Sequence, residues 1–166
     1  MYYLRQSRGV HVGTSQIVIG AGIETLLFLL SLTLGKGRTM AMENPAYLNA
    51  YQTVRELGFQ VLPINMDEEG LKVSQLEQSG ADLAYVTPAR QYPTGVVLPI
   101  GRRSRLIKWA REKKERYIIE DDYDSEFRYY GKPIPALQGI DESDKVIYMG
   151  TFSKAIAPAI RIGYMV

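Results

Sequence analysis

The chain has 166 residues, 46% apolar and 23% charged, enough for one hydrophobic core and a composition that excludes disordered, collagen-like and low-complexity chains. It contains no cysteine and one histidine, His11, which removes disulfide scaffolds, zinc fingers, iron–sulfur clusters and thiol catalysis and argues against a histidine metal site or a Ser-His-Asp triad. Twenty basic against eighteen acidic side chains leave a formal charge of +2, too little to argue for nucleic acid or membrane binding.

Beta-branched and apolar runs alternate with helical segments and predict seven strands. The first is 16–20 (QIVIG), leaving through Ala21-Gly22 into a helix over 24–34. That helix is apolar on nearly every side, which predicts burial on most faces, and it stops at Gly35-Lys36-Gly37. The apolar stretch 23–34 is shorter than the ~20 residues of a membrane span. Arg5 and Arg8 near the start are not followed by a secretory h-region, so a cytoplasmic protein is expected. A strand over 38–42 (RTMAM), a helix over 46–57 and a strand over 59–65 (FQVLPIN) follow; Pro63 puts that strand at an edge or near its end. A short helix over 71–78 leads to a strand over 83–87 (LAYVT), a Pro- and Gly-rich loop over 88–101 and a helix over 102–116. Eight Lys or Arg lie in that helix among Leu106, Ile107, Trp109 and Ala110, the pattern of a solvated basic face on a helix that covers a sheet. Strands over 117–121 (YIIED), 145–150 (KVIYMG) and 160–166 (IRIGYMV) complete the series. The alternation predicts an α/β fold, a three-layer αβα sandwich around a seven-stranded, mostly parallel sheet. The link over 151–159 is too short for a crossover helix, so the last strand is expected to run antiparallel.

Ligands of such sheets bind beyond the carboxyl ends of the strands. After the first strand, Ala21, Gly22 and Ile23 open a helix whose free N–H groups suit a phosphate, although a glycine there is also an ordinary strand-to-helix turn. After the fifth comes EDDYD, in which Glu120, Asp121, Asp122 and Asp124 repel one another: a solvated acidic loop or a divalent cation site are both open, and strand alternation puts Asp121 with Tyr123 on one side and Glu120 with Asp122 on the other. After the sixth, Lys154 lies near Thr151, Ser153 and Arg161, suited to Schiff-base chemistry or a phosphate contact, or else a surface lysine. Together these meet what pyridoxal phosphate requires: an amine for its aldehyde, an anion for its pyridinium nitrogen and donors for its phosphate.

The order and wording of QIVIGAG, ENPAY, TPARQYPTG, IIEDDYDSEFRYYGKPIPALQ and VIYMGTFSKAIAPAIRIGYMV closely resemble the aminotransferase-like domain of the MocR subgroup of GntR bacterial transcription regulators. RGVHVGTSQIVIGAG and EDDYDSEFRY are close to that subgroup's phrasing, whereas SK and PTG occur widely in fold-type I pyridoxal-phosphate enzymes. The resemblance implies that Lys154 forms the internal aldimine, that Asp121 pairs with the pyridinium nitrogen, that Tyr123 hydrogen-bonds the ring O3′ and that Tyr47 stacks on the pyridine face. For the phosphate it implies the backbone N–H groups of Ala21, Gly22 and Ile23, the hydroxyls of Thr151 and Ser153, and Arg161. Tyr92 departs from the Asn that many aminotransferases carry directly before PTG.

By the same resemblance, residues 1–166 are the cofactor-binding large lobe of a regulator whose winged-helix DNA-binding domain and small lobe lie outside the chain. The implied partners are an amino-compound effector, a second copy in a homodimer of the parent protein, and DNA through the N-terminal domain; no membrane is implied. The alternatives are a piece of a genuine aminotransferase, moving an amino group between an amino acid and a 2-oxo acid, and a fragment that no longer binds the cofactor.

Overall fold

The computed structural model describes residues 2–124, 135–152, 159 and 161–166. Its elements in chain order are α1 (Tyr2–Arg8), β1 (Val18–Gly20), α2 (Ile23–Leu34), β2 (Thr39–Asn44), α3 (Leu48–Glu56), β3 (Gln60–Asp67), β4 (Gly70–Leu71), α4 (Val73–Gln78), β5 (Leu83–Val86), α5 (Ile100–Arg111), β6 (Tyr117–Asp122), α6 (Leu137–Ile140), β7 (Val146–Thr151) and β8 (Gly163–Met165). The strands form one sheet in the order β1-β8-β7-β6-β5-β2-β3-β4. It has eight strands rather than the expected seven. The addition is β4, two residues that turn back antiparallel onto the end of β3 and bear too little periodicity to be read as a strand.

The pairs β2–β3, β2–β5, β5–β6 and β6–β7 are parallel, whereas β8 runs antiparallel between β7 and β1, as its short connection requires. Pro63 lies where β3 is paired with β2 alone, since β4 pairs only with Met66 and Asp67 farther along β3. The chain reaches β2, steps outward to β3 and returns to β5 on the other side of β2, so connections diverge between β2 and β5. Such a divergence opens a crevice at the carboxyl ends of the strands.

Both faces of the sheet are covered. On one, Leu26, Leu27 and Leu30 of α2 and Ala50 and Val54 of α3 pack on Met40, Met42, Leu83, Tyr85, Ile119 and Met149. On the other, Leu76 of α4 and Leu106, Ile107, Trp109 and Ala110 of α5 pack on Ala41, Ile64, Ala84, Val86 and Ile118. Near β7 and β8 on that second face, Leu4 of α1 joins Val10, Ala136, Tyr148 and Tyr164. Strand residues alternate between these clusters with a period of two, which is why β5, buried on both sides, reads as a continuous apolar run.

Two helices differ from expectation. α2 buries one stripe and leaves Phe28 49% and Leu32 62% exposed, because it covers one face of the sheet and no described element lies on its outer side. α5 ends at Arg111, and its basic residues are not all solvated. Arg103 is 2% exposed, and Arg116 folds back to donate to the Trp109 carbonyl at 2.9 Å with its guanidinium over the indole ring. Among the described residues no helix is long and apolar enough to cross a membrane.

Candidate functional site

A cavity of ≈ 330 Å³ opens at the carboxyl ends of the parallel strands, lined by Gly22, Ile23, Glu24, Tyr47, Thr87, Tyr92, Asp121, Tyr123, Thr151 and Arg161. Each group arrives from a different connection: β1 to α2, β2 to α3, the loop after β5, the end of β6, the end of β7 and the start of β8. The volume lies within the range of small-molecule sites, about 300–1,000 Å³.

The four carboxylates at the end of β6 are all buried, so the solvated acidic loop does not exist. Nor do they converge as a cation site would require, since each is taken up by its own partner. Glu120 accepts from the backbone N–H groups of Leu137 and Gln138 at 2.8 and 3.1 Å, Asp122 meets Arg8 at 2.6 Å and the Tyr148 hydroxyl at 2.8 Å, and Asp124 meets Arg90 at 3.3 Å. Among the described residues no group of three acidic or histidine side chains could hold a metal ion. Asp121, on the opposite side of the strand from Glu120 and Asp122, faces the cavity. Its Oδ2 accepts from the buried Tyr85 hydroxyl, and its Oδ1 is buried with no partner among the described residues. Burial, opposed by the Tyr85 hydrogen bond and reinforced by the nearby acids, pushes its pKa up to about 7.

At the other end of the cavity α2 begins, with its first N–H groups free of intrahelical partners. Gly22 precedes it at φ 90°, a backbone conformation that favours glycine, and a Cβ there would stand 2.8 Å from Arg161 Nη2 and displace the end of that side chain. Arg161 pairs with Glu24 at 2.7 Å, and the Thr151 hydroxyl donates to the Ile162 carbonyl at 3.2 Å. Ala21 does not line the cavity; its carbonyl accepts from Thr25 at 3.3 Å. Between the two ends stands an aromatic wall, with Tyr92 edge-on to Tyr47 at 5.2 Å and to Tyr123 at 6.0 Å. Tyr92, the position that departed from the expected Asn, is therefore part of the lining.

A second layer holds the loops that carry this wall. Glu43 at the end of β2 accepts from the Thr87 hydroxyl at 2.6 Å, the Thr87 N–H at 3.2 Å and the Gln91 amide at 3.4 Å. Gln91 also donates to the Pro45 carbonyl at 2.8 Å and accepts from the Thr94 hydroxyl at 2.6 Å, joining the ENPAY and TPARQYPTG segments. Burial pushes Glu43 and Glu120 up to about 7 as well. All three acids therefore take up protons in the folded chain between about pH 4 and 7 that the unfolded chain does not bind, so stability falls as pH rises through that window. The thermal midpoint is expected to be lower at pH 8 than at pH 5.5, and Glu43→Gln to flatten the difference; scanning calorimetry at the two pH values checks both.

The family model "Aminotransferase class I and II" matches residues 1–166. The chain belongs to this family. Among solved aminotransferases it is similar to kynurenine aminotransferase of Pyrococcus horikoshii, solved in complex with PMP, with a TM-score of 0.88 and 33% identity over 99% of this chain and 43% of that one. An archaeal alanine:glyoxylate aminotransferase superposes with a TM-score of 0.90 at 30% identity over the same share of this chain and 43% of its own. Curated relatives include an uncharacterized HTH-type transcriptional regulator, YdeL, of Bacillus subtilis, 44% identical over 99% of this chain and 35% of its own length. The probable rhizopine catabolism regulatory protein MocR of Rhizobium meliloti is 37% identical over 99% of this chain and 33% of its own. The chain thus spans about a third of the length of these relatives.

The aminotransferase fold brings together Gly22, Ile23, Tyr47, Asp121, Tyr123, Thr151 and Arg161 of the residues expected from sequence, and adds Glu24, Thr87 and Tyr92. Ser153 and Lys154 lie outside the described residues. The residues present fit pyridoxal phosphate. The unpartnered Asp121 Oδ1 is an acceptor for a ring N–H, and the start of α2 with Arg161 suits a phosphate. Glu24 and Thr87 were missed because a Glu in a first helical turn and a Thr at a strand end have ordinary structural roles.

Proposed function

We propose that this chain is the pyridoxal-phosphate-binding lobe of an effector-sensing transcription regulator of the MocR type. The cofactor reading is carried by one observation: a fully buried carboxylate keeps an unpartnered oxygen in a cavity that ends at a helix N-terminus and an arginine. When bound, the cofactor supplies an aldehyde that captures amines and a cationic ring that withdraws electrons. Asp121 would hold the ring nitrogen protonated, Tyr123 would reach the ring oxygen, Tyr47 would cover the ring face, and Arg161, Thr151, Ser153 and the N–H groups of Gly22 and Ile23 would hold the phosphate. Lys154 would supply the amine that holds the aldehyde.

The regulatory half of the reading rests on relatives. Those at 37–44% identity bear the names of HTH-type or regulatory proteins, and they extend well beyond the segment matched here. In such a protein the DNA contact and the dimer would belong to the whole chain in the cytoplasm, and amine capture would bias its conformation. A second reading, a lobe of a true aminotransferase, is favoured by the solved enzymes at 30–33% identity.

Titration of the chain with pyridoxal phosphate is expected to give a visible absorption band that borohydride reduction fixes on Lys154, located by peptide mass mapping. Lys154→Ala is expected to abolish that band and leave the far-ultraviolet circular dichroism unchanged. A band that survives in the variant, or labels scattered over surface lysines, overturns the assignment. Spectral change with amines but no amino transfer to a 2-oxo acid supports the sensor; transfer supports the enzyme.

A further inference from the structure

Tyr85 lies on β5, one strand from Asp121 on β6, and both side chains point to the α2 and α3 face. Neither has appreciable contact with water: Tyr85 is 3% exposed and Asp121 4%. The Tyr85 hydroxyl donates to Asp121 Oδ2, leaving Oδ1 without a partner among the described residues. A carboxylate has a broad, roughly two-fold torsion about its last bond, so an acid held through neither oxygen would present no fixed edge to the cavity. Burial and the adjacent Asp121 charge raise the Tyr85 pKa well above that of an ordinary phenol, so its proton stays on oxygen and the group remains a donor.

From this geometry we infer that Tyr85 is a positioning residue, pinning one oxygen of Asp121 so that the other is presented to a protonated ring nitrogen of the bound ligand. Tyr85 does not line the cavity and acts through Asp121 alone. The inference rests on the cofactor reading above and adds to it the group that makes the acid directional. It also predicts that the site discriminates between rings with and without a nitrogen at that position, and that the discrimination depends on a hydroxyl which never touches the ligand.

The test is a binding titration of the full chain and its Tyr85→Phe variant with pyridoxal phosphate and with its 1-deaza analogue, in which a carbon replaces the ring nitrogen. Loss of a hydrogen bond to a charged group corresponds to about a tenfold change in affinity. Tyr85→Phe is expected to weaken pyridoxal phosphate about tenfold and to leave the analogue within about twofold of wild type. Tyr85→His, which carries a ring N–H, is expected to regain part of the preference. Equal losses for both compounds mean that Tyr85 only packs, and no loss for either means that Asp121 needs no support; each result overturns the inference alone. Failure of the wild-type chain to bind either compound overturns the cofactor reading and the inference together. Should Tyr85→Phe not fold, any preference for pyridoxal phosphate over the analogue in Tyr85→His supports the role and an absent preference overturns it.

Discussion

Asp121→Ala is expected to lower the affinity for pyridoxal phosphate by about a hundredfold to a few thousandfold, more than the loss expected for Tyr85→Phe. The variant removes a buried carboxylate whose unpartnered oxygen lies at the cavity, so a cationic ring nitrogen would be desolvated without the anion that offsets its charge. Taking one partner from a buried charged pair costs about 3–5 kcal/mol, and 1.4 kcal/mol corresponds to each factor of ten. Equilibrium titration followed by absorbance checks the value. An affinity within threefold of wild type means that Asp121 is buried for a purpose other than the ligand.

Arg103→Ala is expected to destabilise the fold by about 3–5 kcal/mol. The guanidinium is buried under α5 and donates to three carbonyls: Leu98 at 2.7 Å, Pro135 at 2.7 Å and Pro88 at 2.6 Å. These belong to the loop after β5, the approach to α5 and the segment before α6, so one side chain ties together three stretches that carry no regular structure. Truncation leaves a cavity and three unpaired acceptors, which for a domain of this size corresponds to a fall in thermal midpoint of roughly 10 °C. Arg103→Lys is expected to recover little, since one ammonium group cannot reach three acceptors spread in the plane of a guanidinium. Thermal denaturation of the two variants measures both effects, and a loss under 1 kcal/mol for Arg103→Ala would sink the argument.

Sequence order and residue type were enough to locate the strand ends to within a residue, because QIVIG, LAYVT, YIIED and KVIYMG each run into glycine, proline or acidic residues. The split of Asp121 from Glu120 and Asp122 also followed from strand alternation alone. What could not be read depends on contacts between segments distant in the chain. Arg103 sits in a run of basic residues and looks like its neighbours; its burial is set by Pro88 and Pro135, 15 and 32 positions away. Tyr85 reads as one more aromatic residue in an apolar strand until β6 lies beside it, 36 positions on. Glu43 likewise reads as a turn residue, and its burial depends on Thr87 and Gln91. The helices α1 and α6 are short and weakly periodic, and they are held by packing near β7 and β8 and by Glu120 rather than by propensity.

The three acids that close β6 do three separate jobs in consecutive positions: Glu120 holds the start of α6, Asp121 faces the cavity and Asp122 receives Arg8. A substitution at one of them leaves the other two in place. Insertion or deletion of a single residue within the strand is different in kind, because it turns every later side chain to the other face of the sheet. The site acid would then enter the framework and a framework acid would enter the site. This part of the chain can therefore vary by exchange of residues but not by change of length, so its spacing from the start of β6 is constrained more tightly than the identity of any one member.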